Sequence, residues 1–374
     1  MKSLLAVFIF LASLSGYAAP LVAHIGVVMD LATSRTASED TIVSLNTAAK
    51  LFKKHNIATI HLDMLDSTAF AVGTRTAMLE MVKRQNDVII AEISSSKAEV
   101  AAVVAEENRK IMITPFATAS SITVGRKYVF RPCVTHLAMV KELSKYLFKT
   151  MHFTKALTVF DEGQLYSVDL SKHFTETFTG LGGKILGEKT VSDFYLDMNN
   201  SDFAANLPKA EFLFLPIYEE SAAKVFSKML TAGHLLTQKF IGADGWGSEG
   251  LFESMVFSKK PDFEGYFVTH YNPKNNSAAR QEFDAAFKKE IGRKPQTSAA
   301  YLTYDSLLMA VEALKKAKNR TQGEIRESMA NRIDIQGLTG HIVFSGEQDP
   351  VKKPVYINRS IGTHIVETQV LSHD

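Results

Sequence analysis

Short apolar runs alternate with segments of helical period along most of this chain, and that alternation limits its fold more than any other feature. Apolar runs fall at His24–Met29, Ile57–Met64, Val88–Ile93 and Ile111–Thr114, with amphipathic segments at Asp40–Lys54, Val72–Gln85 and Lys97–Asn108 between them. The pattern resumes through Ala156–Phe160, Ser167–Phe178, Lys184–Val191, Glu211–Ile217, Glu220–Ala232 and Lys239–Gly242. Val- and Ile-rich strands spaced by helices of this length are βαβ units, which build parallel sheets covered on both faces. Two successive sets without a Pro- or Ser-rich linker predict an α/β chain of two Rossmann-like lobes. The length, 374 residues, suits two domains at roughly 150 residues each. After Tyr271 the pattern becomes three helices, Ala278–Lys289, Ser298–Lys318 and Thr321–Asn331, and then two short strands, His341–Phe344 and Val355–Asn358. Such a helical block must pack back onto one of the sheets. No repeat of solenoid period is visible.

The first residues carry an address. Lys2 precedes an apolar stretch, Leu4 to Leu14, and small residues stand at Gly16 and Ala18. That order of charge, apolar core and small-residue exit is expected of a secretory signal peptide covering residues 1–18, cut after Ala18. The stretch is shorter than the roughly 20 apolar residues a membrane span takes. Cys133 is the sole cysteine, so no intramolecular disulfide is expected, and the leader has no Cys for a lipid anchor. The expected protein is periplasmic, unanchored and monomeric, with Cys133 an inert buried thiol.

Charge and motifs exclude several functions. Net charge is +2, with basic residues scattered among acidic ones, so neither a nucleic-acid stripe nor a membrane-surface patch forms. The densest basic cluster, Lys315 to Arg320, is expected at a solvated helix end, where cations suit the dipole. There is no HExxH, no CxxC and no G-x-S-x-G elbow, so the sequence offers no metal site, no cofactor and no catalytic residue. Gly180-Leu181-Gly182-Gly183 stands after a helix and before a strand, which is the place of a C-cap turn and not of a phosphate loop.

What remains is a set of polar residues at the carboxyl ends of expected strands, where ligands bind in open α/β sheets. Ser94-Ser95-Ser96 follows one strand and opens a helix, with Ser96 and Glu99 spaced as a capping box. A helix N-terminus with hydroxyls nearby suits a carboxylate, and Thr118 lies just past the next strand. The second half contributes Tyr166, Tyr218 and Asp244 at strand ends. An acid with two aromatics suits an ammonium group, by ion pairing and by cation–π contact. A carboxylate site in one lobe and an amine site in the other describe an α-amino acid.

With those residues in view, the chain resembles the periplasmic leucine/isoleucine/valine-binding proteins of branched-chain amino acid ABC systems, over nearly all of its length past the leader. Ser94-Ser95-Ser96 matches their serine run, Ile111 to Thr118 their I-T-P-x-A-T segment, Phe240 to Gly245 their F-x-G-x-[DE]-G segment, and Tyr301 to Asp305 their C-terminal helix pattern. The resemblance implies the type I periplasmic-binding fold with a hinge of three crossovers. It divides the chain into an N-terminal lobe of residues 19–137 plus 269–345 and a C-terminal lobe of 138–268 plus 346–374. It further implies that Ser94 and Thr118 bind the ligand carboxylate, with a backbone N–H of the Phe116–Ala117 segment. Asp244 then binds the ammonium beside Tyr218, and Tyr166 joins them. Where the family's first loop reads S-G-x-x-A-x-x-G, this chain has Asp30 to Ala37; Arg35 there is either a surface residue or a clamp for an acidic ligand. The expected function is capture of a small ligand, an amino acid of the branched-chain kind or a related one, for the membrane permease of an ABC importer. The same fold also serves receptor-associated sensors and activators of cell-wall synthases, which are the alternatives.

Overall fold

The computed structural model describes residues 21–31, 36–233, 238–246, 263–362 and 364–371. The leader and Arg35 lie outside the described residues.

Two sheets organise the chain. The first half runs β1 (Leu21–Met29), α1 (Thr36–Lys54), β2 (Ala58–Asp66), α2 (Ala71–Met81), β3 (Val88–Ala91), α3 (Ser95–Glu107), β4 (Met112–Ile113) and β5 (Val129–Phe130). These strands form a parallel five-stranded sheet in the order β2-β1-β3-β4-β5. The chain then passes through α4 (His136–Lys145), β6 (Lys155–Phe160), α5 (Leu165–Gly180), β7 (Lys184–Thr190), the short α6 (Val191–Asp197) and α7 (Phe203–Asn206), β8 (Phe212–Leu215), α8 (Glu219–Thr231), β9 (Lys239–Gly242) and β10 (Glu264–Thr269). It returns to the first sheet as α9 (Ala278–Ile291), α10 (Ser298–Lys316) and α11 (Gln322–Arg332), followed by the small hairpin β11 (Asp334–Gly337) and β12 (Gly340–Val343). Finally β13 (Val355–Ile361) and β14 (His364–Leu371) complete the second sheet. Its seven strands lie in the order β14-β13-β10-β9-β8-β6-β7; they run parallel except for β13, which is antiparallel to both its neighbours, β10 and β14.

Burial explains the strand composition. β3 (VIIA) and β8 (FLFL) are buried at every position, as strands covered on both faces must be. On one face of the five-stranded sheet, Leu45, Ala48 and Phe52 of α1 join Leu307 to Ala317 of α10 and Met329 of α11. The opposite face is covered by Met78 and Met81 of α2 and the alanines of α3. The second sheet is packed between α4 and α5 on one side and α6 to α8 on the other. Helix α10 is apolar nearly all round because it lies inside the lobe, from Ala299 to Leu314. Cys133 is buried, and desolvation pushes its thiol up to about 12, which leaves it unreactive.

Several boundaries differ from expectation. The strands β5, β10, β11 and β14, and helices α4, α6 and α7, are not anticipated by the alternation. β5 has only two residues between basic neighbours, too short for a periodic signal. Glycines 180–183 do close α5: Gly182 adopts φ +101°, and the Gly183 N–H donates to the Phe178 carbonyl at 3.0 Å. The Ser96–Glu99 capping box does not form. Ser94 is the cap residue, Ser96 accepts the Leu165 N–H, and Glu99 pairs with Arg126. The short β3 ends at Ala91, which leaves Glu92 to Ser94 as the turn and places Ser95 and Ser96 in the first turn of α3.

Three stretches carry the chain between the sheets, and a buried cation ties the first to the third. Arg131 is fully buried; its Nη1 donates to the carbonyls of Ala117 and Ala119, its Nη2 to Thr123, and its Nε to Asp349 at 2.5 Å. A guanidinium satisfied this way is destabilising to remove, because its partners stay behind unpaired. Arg131→Ala is expected to lower the unfolding free energy by about 3 kcal/mol, read as a fall in urea midpoint at unchanged slope; an unshifted midpoint would contradict this account of the crossovers.

Candidate functional site

The carboxyl ends of both sheets face one another across a cleft, and a cavity of about 230 Å³ lies between them. Asp30 follows β1, Ala69 follows β2, Glu92, Ile93 and Ser94 follow β3, and Phe116 lies beyond β4. From the second sheet come Tyr218, Glu219 and Glu220 where α8 begins, and Asp244 and Gly245 after β9. Ala37, Ser38, Lys97 and Thr297 complete the wall. Strand ends converge here because every crossover in a parallel sheet leaves its loop on the same edge.

Asp244 sits at the floor, buried to 1% exposure. Its Oδ1 accepts the Tyr166 hydroxyl at 2.9 Å, and its Oδ2 accepts His270 Nε2–H at 3.0 Å. The Tyr166 oxygen in turn accepts the Gly245 N–H at 2.7 Å. Only glycine suits position 245, since a Cβ there would meet that hydroxyl at 2.7 Å. Burial alone would raise the Asp244 carboxyl, but the bond and charge of His270, with His136 and Tyr166, hold it below the ordinary value. Tyr166 goes the other way: burial, then the Asp244 charge, push its phenol well above 10, so it stays a donor. Tyr166 stacks on Tyr218 at 4.4 Å, and Tyr218 lines the cavity.

A second chain of groups reaches Asp244 from the first sheet. Thr118 Oγ1 lies 3.3 Å from Asp244 Oδ2 and 2.7 Å from His136 Nε2. His136 Nδ1 is 2.7 Å from Asp169, whose carboxyl would be raised by burial but is drawn down to about 2, chiefly by that imidazole. Burial pushes His136 itself below 6.5 in spite of Asp169. With the imidazole neutral, Nδ1–H donates to Asp169 and Nε2 is left as an acceptor, which takes the Thr118 proton. Protonation of His136 reverses this, and Thr118 then donates to Asp244 across the cleft. Ser96 and Ser120 add direct contacts between the halves, Ser96 accepting the Leu165 N–H at 3.2 Å and Asp169 accepting the Ser120 N–H at 3.1 Å.

Of the residues singled out in the sequence, Ser94, Phe116, Tyr218 and Asp244 line the cavity. Thr118 and Tyr166 stand behind it, against Asp244, and the Ala117 carbonyl is taken by Arg131 and Cys133. Among the lining or supporting groups that escaped sequence reasoning are Asp30, Glu92, Lys97, Glu219, Glu220 and His270. Asp30 and Glu92 each follow an apolar strand run directly, the position that drew attention to Asp244. His270 carried no such signal, because β10 was not recognised. Trp246, two residues from Asp244, is fully buried against Phe226. Among the described residues no three His, Cys, Asp or Glu side chains converge as metal ligands, and no helix is long and apolar enough to cross a membrane.

The profile of a family described as "Periplasmic binding protein" matches residues 23–362. No curated protein sequence matches the chain. Solved structures do. One is the branched-chain amino acid transporter substrate-binding protein LivJ of Streptococcus pneumoniae, in complex with isoleucine. It aligns at a TM-score of 0.79 with 19% identity, over 94% of this chain and 100% of that one. The leucine-binding protein LivK of Thermotoga maritima aligns equally well, at 0.79 and 21%, over 94% and 99%. A solute-binding protein of an ABC transporter from Rhodopseudomonas palustris, in complex with 3,4-dihydroxybenzoic acid, gives 0.76 and 21%, over 94% and 98%. The likeness lies in the fold, two α/β lobes with parallel central sheets.

The titration of His136 has a sign that can be checked. The folded state holds its proton less tightly than the unfolded chain, whose imidazole titrates near 6.5. Its contribution to stability is therefore complete above that value and is lost as pH falls below it. The urea midpoint is expected to drop between about pH 7.5 and about pH 5.5, with a shallower drop in His136→Gln; an equal slope in both proteins would place the titration elsewhere.

Proposed function

Because this chain belongs to the periplasmic binding protein family, we propose that it captures a small α-amino acid between its two lobes and delivers it to the permease of an ABC importer. The observation that carries the reading is the cavity itself, walled by Ser94 and Phe116 from one sheet and by Tyr218 and Asp244 from the other. In this reading the lobes comprise residues 19–137 with 269–345 and 138–268 with 346–374, and residues 1–18 direct export to the periplasm.

Ser94 caps α3 without bonding its own helix, so its hydroxyl and the first-turn N–H groups are disposed to receive a ligand carboxylate. Thr118, engaged with His136, acts behind that site by fixing Asp244. A carboxylate offers about four lone-pair positions, and the bonds from Tyr166 and His270, with Thr118 against Oδ2, leave room on Oδ1 for one ammonium N–H. Tyr218 covers the same group from the side. Binding to both walls favours the closed arrangement over an open one, by as much as the ligand gains from the second wall. A few hydrogen bonds to charged groups, at about 1.5–3 kcal/mol each, supply micromolar affinity. No step breaks a covalent bond, and the role is binding.

Titration calorimetry of the purified protein against the L-amino acids and small carboxylates tests this. One amino acid class is expected to bind saturably and raise the melting temperature. Ser94→Ala is expected to weaken it about tenfold or more through loss of one bond to a charged group. Absence of any saturable heat across the panel would overturn the amino-acid reading.

A further inference from the structure

Resting on that reading, we infer that the ligand is a cationic amino acid, one whose side chain carries an ammonium or guanidinium group. With the α-carboxylate at Ser94 and the α-ammonium at Asp244, the ligand side chain is left the remaining lining, and the part of it between β1 and α3 is charged. Glu92 there is 2% exposed and Asp30 stands beside it, with Lys97 between them.

Lys97 does not offset these acids toward the ligand. An ammonium has three donors, and this one spends them on the Thr68 carbonyl at 2.7 Å, Ser67 Oγ at 2.9 Å and Glu92 at 3.3 Å. Asp30 Oδ2, at 3.8 Å, is beyond hydrogen-bond reach of it. Two carboxylates thus share one ammonium, and no donor of the only described lysine or arginine in the lining remains for an acidic ligand. Glu220 adds negative charge on the facing wall, at the first turn of α8.

Glu92 is fixed in this role. Its backbone is left-handed at φ +53°, an uncommon conformation for a residue with a Cβ. Its N–H donates to the Val28 carbonyl at 3.0 Å, its carbonyl accepts Thr114 Oγ1–H at 2.7 Å, and its Oε1 accepts Thr74 Oγ1–H at 2.8 Å. These bonds fix Glu92 in place as part of the cavity lining. Burial pushes the Glu92 carboxyl up, and Lys97 offsets only part of that, so a second cation supplied by the ligand relieves the remaining cost. A leucine side chain in the same place would strip water from Asp30 and return nothing.

Calorimetric affinities for lysine, ornithine and arginine, compared with leucine, isoleucine and glutamate, decide the matter. At least one basic amino acid is expected to bind about tenfold or more tighter than leucine and glutamate. Asp30→Asn and Glu92→Gln are each expected to weaken that ligand by about tenfold while moving leucine by less than about threefold. A ranking with leucine, isoleucine or glutamate first overturns the inference and leaves the amino-acid reading standing. No binding by any amino acid defeats both. If a variant fails to fold, the ranking on the unaltered protein decides alone.

Discussion

A carboxylate kept from water must find donors; Asp244 finds them in Tyr166 at the start of α5 and His270 beyond β10, and Thr118 beyond β4 packs against it as a third partner. Two of these belong to the second sheet's half of the chain and its exit, the third to the first. Bringing them to one carboxylate fixes how the strand ends meet, and the cavity is the space that this meeting leaves. Behind Thr118, His136 and Asp169 continue the chain of partners, so the floor of the cleft is a connected polar network. Removing one member leaves buried groups unpaired, which makes the whole more consequential than any one bond.

The fold serves this network by keeping everything else dry and stiff. Strands buried on both faces leave only their carboxyl ends for polar groups, and those ends of both sheets meet at the cleft. The crossovers are held by Arg131, whose bonds reach Ala117 and Ala119, on either side of Thr118. The cation that ties the first crossover to the third thus also holds the backbone beside the site. Hinge and floor are mechanically continuous through a few residues.

Chemically the cavity has two characters. Its floor, Asp244 with Tyr218, is suited to an α-ammonium, and the N-terminus of α3 with Ser94 to an α-carboxylate. Its outer wall, with Asp30, Glu92 and Lys97, differs from what an aliphatic side chain requires. Relatives of similar fold, bound to isoleucine in one case and to 3,4-dihydroxybenzoic acid in another, carry chemically different ligands. The fold therefore does not by itself set the ligand.

The sequence by itself determined the βαβ alternation, the return of a helical block and the strand-end positions of Ser94, Phe116, Tyr218 and Asp244, because these follow from local periodicity and from which residue ends an apolar run. The turn at Gly182 and Gly183 was legible for the same reason: its signal is contained in neighbouring residues. Tertiary structure alone decided that Thr118 faces His136 and Asp244 instead of the cavity, that Tyr166 supports Asp244 from behind, and that His270 joins them, since these contacts link residues 18 to 126 positions apart. It also decided that Ser94, and not Ser96, caps α3, because the end of β3 rather than the spacing to Glu99 set where the helix began. The charged wall is the clearest case. The strand-end positions of Asp30 and Glu92 are visible in the sequence, but only packing against Ser67 and Thr68 settles which donors Lys97 has left. Periodicity records which face of an element is buried, whereas the balance of donors and charges in a cleft is set by segments that meet only when the chain is folded.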